Sequence, residues 1–198
     1  MFNRNTIILS FCALITACAN TSLMDSWKDS DNARSYKHPM IIGISDSQQT
    51  RQIYEKHFVA GLKKNNITAT PSYKLISSKQ KINRETVVAA VKGTKIDSVL
   101  VTYLVSADAK MKHRDSPLNA GYSGSTESSQ ISATIVSNRG QSRSEEVYVL
   151  KNDLYDVQSK ALVWSAQTKT VGPESVDQVV EEVTELLIEE MLADEVLK

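Results

Sequence analysis

The 198-residue chain predicts an α/β (α+β) protein: a mixed, mostly antiparallel sheet of about five strands with helices packed on its faces, behind an N-terminal signal segment. Three observations carry this. From residue 40 onward, short apolar runs of strand length alternate with segments whose apolar residues recur at helical spacing. The run Ser98-Val99-Leu100-Val101-Thr102-Tyr103-Leu104-Val105 is apolar on both faces, as a central strand covered on both sides must be. The C-terminal segment is a capped amphipathic helix.

Residues 1–17 read as a cleaved lipoprotein signal peptide. Arg4 is the only charge before Cys18, and an apolar stretch from residue 7 ends in Leu14-Ile15-Thr16-Ala17-Cys18. Ala17 supplies the small residue before the cut, and Cys18 becomes the acylated N-terminus. The apolar stretch falls short of the ~20 residues that span a bilayer. Bacterial lipoproteins of this kind carry a covalent diacylglycerol and an N-acyl chain on the cysteine, and no other cofactor is predicted here. Two or more chains hold a protein on a membrane where one does so only marginally. Ala19 follows Cys18, where aspartate would resemble the inner-membrane retention pattern, so the predicted location is the outer membrane, facing the periplasm. Cys12 leaves with the signal and Cys18 is acylated, so the mature chain has no disulfide and rests on its hydrophobic core.

Residues 18–38 are rich in Ser, Asp and Asn without an apolar period and predict a tether, with roughly 25 Å of reach if flexible. Trp27 is out of place in such a linker, so the stretch from about Ser26 is expected to dock on the domain. Residues 39–198 form that domain. Its charge is uneven: residues 151–198 carry four basic and eleven acidic groups, most of the acids on the last helix, where they read as a solvated face. A mature chain this close to neutral gives no support for a nucleic-acid partner.

Within the domain, Met40-Ile41-Ile42-Gly43-Ile44 predicts a strand after Pro39. Ser45-Asp46-Ser47-Gln48 offers several N-caps, including a Ser-x-x-Gln box, for a helix with Ile53, Tyr54, His57, Phe58, Gly61 and Leu62 on one side. That helix ends at Lys63 and Lys64, which complement its dipole. Residues 67–73 predict a second strand, at or near an edge because Pro71 lacks a donor. Asn83 caps a helix carrying Val87, Val88 and Val91 and stopped at Gly93. A long extended stretch over 130–157, a turn at Gln158-Ser159-Lys160 and a return through Ala161-Leu162-Val163-Trp164-Ser165-Ala166 predict antiparallel hairpins. Gly172-Pro173 breaks the strand, Ser175-Val176-Asp177-Gln178 forms a capping box, and Val176, Val179, Val180, Val183, Leu187 and Met191 make the terminal helix's apolar stripe.

Several motifs occur in an order that resembles a family of uncharacterised proteobacterial lipoproteins of the outer-membrane type: Trp27-Lys28-Asp29, the 40–45 strand, Tyr73 after Pro71, Val99-Leu100-Val101-Thr102, Asn152-Asp153-Leu154-Tyr155-Asp156-Val157 and Leu162-Val163-Trp164-Ser165-Ala166. The resemblance covers nearly all of the mature chain. It implies the α/β sandwich of the TolB N-terminal domain and of periplasmic lipoprotein activators of cell-wall synthases, and no catalytic residues. The chain departs from its relatives in the glycine-free turn at Gln158-Ser159-Lys160 and in a 107–129 loop with a single tyrosine.

The residues themselves give an enzyme little to work with, and none is predicted. Ser78-Lys79-Gln80-Lys81, Ser30-Asp31-Asn32 and Lys169-Thr170 mimic penicillin-binding motifs, but the order is wrong and the third lacks its glycine. Gly121-Tyr122-Ser123-Gly124 misses the nucleophile-elbow spacing. His38, His57 and His113 are scattered and have no cysteine to join them, so no metal site is predicted, and His57 is expected to be half-buried. Gly43 stands alone, without a phosphate-binding glycine loop. Lys110, Lys112, Arg114, Arg139 and Arg143 would gather at one end of the sheet if residues 107–144 form a long hairpin, and they are the candidate basic contact patch for an anionic envelope component. Asp108, Asp115, Glu127, Glu145 and Glu146 dilute that charge, so a solvated loop is the competing reading. The chain therefore predicts a lipid-anchored periplasmic interaction or regulatory module with an envelope protein as partner. A small-ligand binding or sensing lipoprotein is the alternative.

Overall fold

The computed structural model describes residues 20–111 and 144–198. Its centre is where the sequence places it. Strand β2 (Pro39–Gly43), buried at every position, pairs in parallel with β4 (Ser98–Met111), Ile41 opposite Leu100 and Ile42 opposite Val101. Between them run α1 (Gln48–Lys64), β3 (Thr70–Pro71), a 3-10 turn (Ser72–Lys74) and α2 (Arg84–Val91). The hydroxyl of Ser47 caps α1 by accepting from Thr50 N at 3.2 Å. Asn83 and Thr86 close a reciprocal capping box on α2, and Gly93 leaves it at φ 75°.

The expected second strand shrinks to the two residues of β3, paired with Met40 and Ile41 at the sheet edge. Pro71 has no N–H to donate, and the Ser72 hydroxyl and Tyr73 N–H turn to the Glu55 carboxylate instead of a ladder. β4 continues antiparallel into β5 (Ser144–Asp156) and β6 (Leu162–Val171). The turn between them manages without glycine. Asp156 accepts from both the N–H and the hydroxyl of Ser159, and Lys160 takes the left-handed conformation at φ 59°.

The tether expected over 18–38 is corrected from Thr21 on. Thr21–Lys28 is strand β1, paired antiparallel with β6 at the sheet edge, so the described sheet has six strands in the order β1-β6-β5-β4-β2-β3. Its polar sequence fits an edge. Only Leu23 packs on the core, a register shift between Leu23 and Asp25 breaks the alternation, and the hydroxyls of Thr21 and Ser26 bond Thr170 and Glu190. Trp27 docks through its backbone opposite Ser165 while its side chain stays 48% exposed. The chain then returns through buried Tyr36, whose N–H donates to Val196 O at 2.8 Å.

Helix α3 (Val176–Ala193) starts at Ser175, which accepts from Gln178 N. The Gln178 side chain completes no box, because it accepts from Glu174 N. Val180, Val183, Leu187 and Met191 are buried as the stripe predicts, whereas Val176 at the first turn is 57% exposed. α1 and α3 cross on one face of the sheet, where Gly61 permits the approach: a Cβ there would stand 2.7 Å from Ile188 Cδ1. This first face holds the larger core, with Phe58, Leu62, Leu100, Leu154, Trp164 and Leu187. The smaller core lies on the second face, where α2 covers Met40, Ile42 and Val99. The result is a three-layer α/β/α arrangement with unequal outer layers.

Candidate functional site

The unequal layers define the site. Cross-strand register puts Trp27, Ser165, Asp153, Val101 and Ile42 in one row on the second face, and Asp25, Gln167, Lys151 and Tyr103 in the next. Among the described residues this face carries only α2, eight residues long, over β2 and β4. Between α2 and the sheet lies a cleft of about 410 Å³. Ile42, Val99 and Val101 floor it, and Val87, Val88 and Val91 wall it. Ile44 and Val88 are 44% and 37% exposed, so the apolar lining reaches solvent. Arg84, Tyr155, Asp156 and Lys160 complete the rim.

Beside the cleft, Asp153 is buried in the β5 surface and accepts from the Ser165 hydroxyl at 2.7 Å and the Tyr103 hydroxyl at 3.2 Å, with Lys151 Nζ at 3.9 Å. Burial, followed by the nearby Asp153 charge, raises the phenol pKa of both Tyr103 and Tyr155, so both stay protonated donors at neutral pH. Among the described residues, no histidine bonds this carboxylate. Its lone pairs serve donors within the sheet, which makes it an organiser of the surface.

At the end of the sheet where β5 turns into β6, Asp156 is buried against residues 34–36. Arg34 Nη1 donates to it at 2.7 Å and the Tyr36 hydroxyl at 3.1 Å. Burial pushes its carboxyl up, but the Ser159 backbone and hydroxyl bonds, the Tyr36 bond and the Arg34 charge outweigh that and hold it below the ordinary value. A polar hollow of about 500 Å³ borders this cluster. A second buried knot ties α1 to the sheet. Glu55 accepts from Gly43 N, Arg51 Nε, the Ser72 hydroxyl and Tyr73 N.

The residues singled out from sequence are placed only in part. Cys18 lies outside the described residues, two positions before Asn20, as do Lys112, Arg114, Arg139 and Arg143. Lys110 pairs opposite Glu145 in the β4–β5 ladder. His57, expected half-buried, is exposed on α1, and His113 lies outside the described residues. Among the described residues no cluster of three or more His, Cys, Asp or Glu could hold a metal ion. No described helix is long and apolar enough to cross a membrane. Two of the motifs that mimic a penicillin-binding site lie at opposite ends of β6: Asp29, the residue before Ser30-Asp31-Asn32, donates its N–H to Val163 O near the start of the strand, while Thr170 pairs with Thr21 near its other end. The cleft itself went unread in sequence. Its signal was Val88 and Ile44, apolar residues that a helix of two turns leaves exposed.

A three-layer domain whose second face carries, among the described residues, an accessible apolar cleft is thus the class that the fold and site define. No family model matches the chain, and no curated protein matches it in sequence. Among solved structures, the PelC dodecamer from Paraburkholderia phytofirmans is similar at 12% identity and TM-score 0.49, over 90% of this chain and 99% of that one. Lipoprotein GNA1162 from Neisseria meningitidis is similar at 11% identity and TM-score 0.39, over 79% of this chain and 98% of that one.

Proposed function

We propose that this chain is an acylated cell-envelope protein that acts by binding, with the second face of its sheet as the binding surface. The carrying observation is the accessible apolar cleft between α2 and the sheet, at the lower end of the size range of small-ligand pockets. Diacylglycerol and an N-acyl chain on Cys18 hold the protein on the outer membrane, and the domain faces the periplasm without enzymatic turnover.

Two measurements test this. Metabolic palmitate labelling of the native protein is expected to mark the wild type and not Cys18→Ala. A photoreactive amino acid at position 88 is expected to capture a bound molecule in cells, while the same probe at Glu185, exposed on α3, captures none. Equal capture at both positions would refute the assigned surface.

A further inference from the structure

The rim of the cleft indicates what it holds. Its lining is aliphatic, yet two cations, Arg84 and Lys160, stand at its edge, and neither has an ion-pair partner among the described residues. Asp156 is the acidic side chain in the lining, and its charge is already spoken for: one oxygen accepts from Ser159, the other from Arg34 and Tyr36. The cleft therefore pairs an apolar trough with two unneutralised cations. That combination matches an amphiphile with a negative head, and it disfavours both a neutral apolar molecule and a cationic one.

Its size narrows the choice. A volume of about 410 Å³ suits one alkyl chain better than the paired chains of an intact phospholipid.

We propose that the cleft between α2 and strands β2 and β4 binds a single-chain acyl anion of the fatty-acid type, its tail along Val88, Val101 and Ile44 and its head at Arg84 and Lys160. This rests on the second face being the binding surface and adds the chemical class of the ligand. The tail is held by burial, so affinity rises about fourfold for each added methylene until the trough is full. The head is held by charge-assisted bonds, and losing either cation weakens binding by roughly tenfold. Arg84 is on the exposed first turn of α2 and Lys160 in a surface turn, so replacing them tests recognition with little effect on the core.

The experiment uses the acylated full-length protein in phosphatidylcholine nanodiscs, with a photoreactive dodecanoate and a photoreactive dodecyltrimethylammonium of the same length. Peptide mapping is expected to find dodecanoate adducts on the segments containing Val88 and Val101, with little labelling by the ammonium probe. Unlabelled acids from eight to twelve carbons should compete with progressively lower midpoints. Arg84→Gln and Lys160→Asn should each weaken labelling about tenfold, and Val88→Glu should abolish it, with circular dichroism and Tm showing each variant folded. Equal labelling by both probes, adducts spread over α3, or unchanged labelling of the cation variants would overturn the proposal. So would a position-88 probe that captures only a protein or a second copy of this chain while dodecanoate leaves the cleft unlabelled. That last result spares the second face as the binding surface, whereas no capture of any kind at position 88 removes both.

Discussion

Glu55→Ala is expected to be among the most damaging single substitutions in the domain, and more damaging than Arg51→Ala. Glu55 is fully buried and Arg51 is 6% exposed. The carboxylate accepts from Arg51 Nε at 2.9 Å, the Ser72 hydroxyl at 2.6 Å, Tyr73 N at 3.0 Å and Gly43 N at 3.2 Å. Among the described residues, Arg51 has only Glu55 and the Ser72 hydroxyl as side-chain partners. Removing Glu55 strands a buried guanidinium and leaves two backbone N–H groups and a hydroxyl without their acceptor, at a cost of about 3–5 kcal/mol. Removing Arg51 leaves a carboxylate that keeps three donors, so its cost falls below that range. At about 2–4 °C per kcal/mol for a domain of this size, Glu55→Ala should lower Tm by roughly 10 °C. The double variant Arg51→Met/Glu55→Leu has no stranded charge and should lose less than the two single losses combined. Urea midpoints at constant m-value measure all three. Additive losses under about 1 kcal/mol each, or a larger loss for Arg51→Ala, would refute the reasoning, because either result means that the knot is wet or open in solution.

Further outcomes follow from the same geometry. Asp156 has a folded pKa below its unfolded one, so its stabilisation is present above the ordinary carboxylate pKa near 4 and is lost as pH falls through the folded value; Asp156→Asn should flatten the urea midpoint between pH 5 and 3. Gly61→Val should destabilise by about 1–3 kcal/mol through the clash at Ile188, and Ile188→Val should recover part of that loss in thermal melts. The two tryptophans should separate by acrylamide quenching. Emission of the Trp164→Phe variant, left with half-exposed Trp27, is quenched readily, while that of Trp27→Phe, left with buried Trp164, is shielded. Equal quenching would place Trp27 against the sheet or Trp164 in solvent.

How much of this could be read from residue order depends on how local each signal is. The α2 cap is set by Asn83 and Thr86, three residues apart, and the α3 stripe by neighbours within five turns of helix. The continuous apolar run at 98–105 marks a strand with sheet on both sides, and β4 indeed lies between β2 and β5. Local order misled where a residue's role depends on a distant partner. β1 is polar because it is an edge, so its own sequence resembles a linker, and its pairing with β6 joins Thr21 to Thr170. Tyr73 reads as strand because nothing nearby in sequence announces the Glu55 carboxylate that takes its N–H.

The sequence alone determined the order of the major elements from β2 onward, the capping residues Asn83 and Ser175, and the central strand, all of which are written in short-range periodicity and in side chains that reach their own backbone. Only the tertiary structure decided that β1 closes the sheet, that Glu55 and Asp156 each anchor a buried polar cluster, and that α2 is too short to cover the second face. These depend on which surfaces meet across long stretches of chain, and a cleft is a surface left uncovered, which no local pattern of residues records.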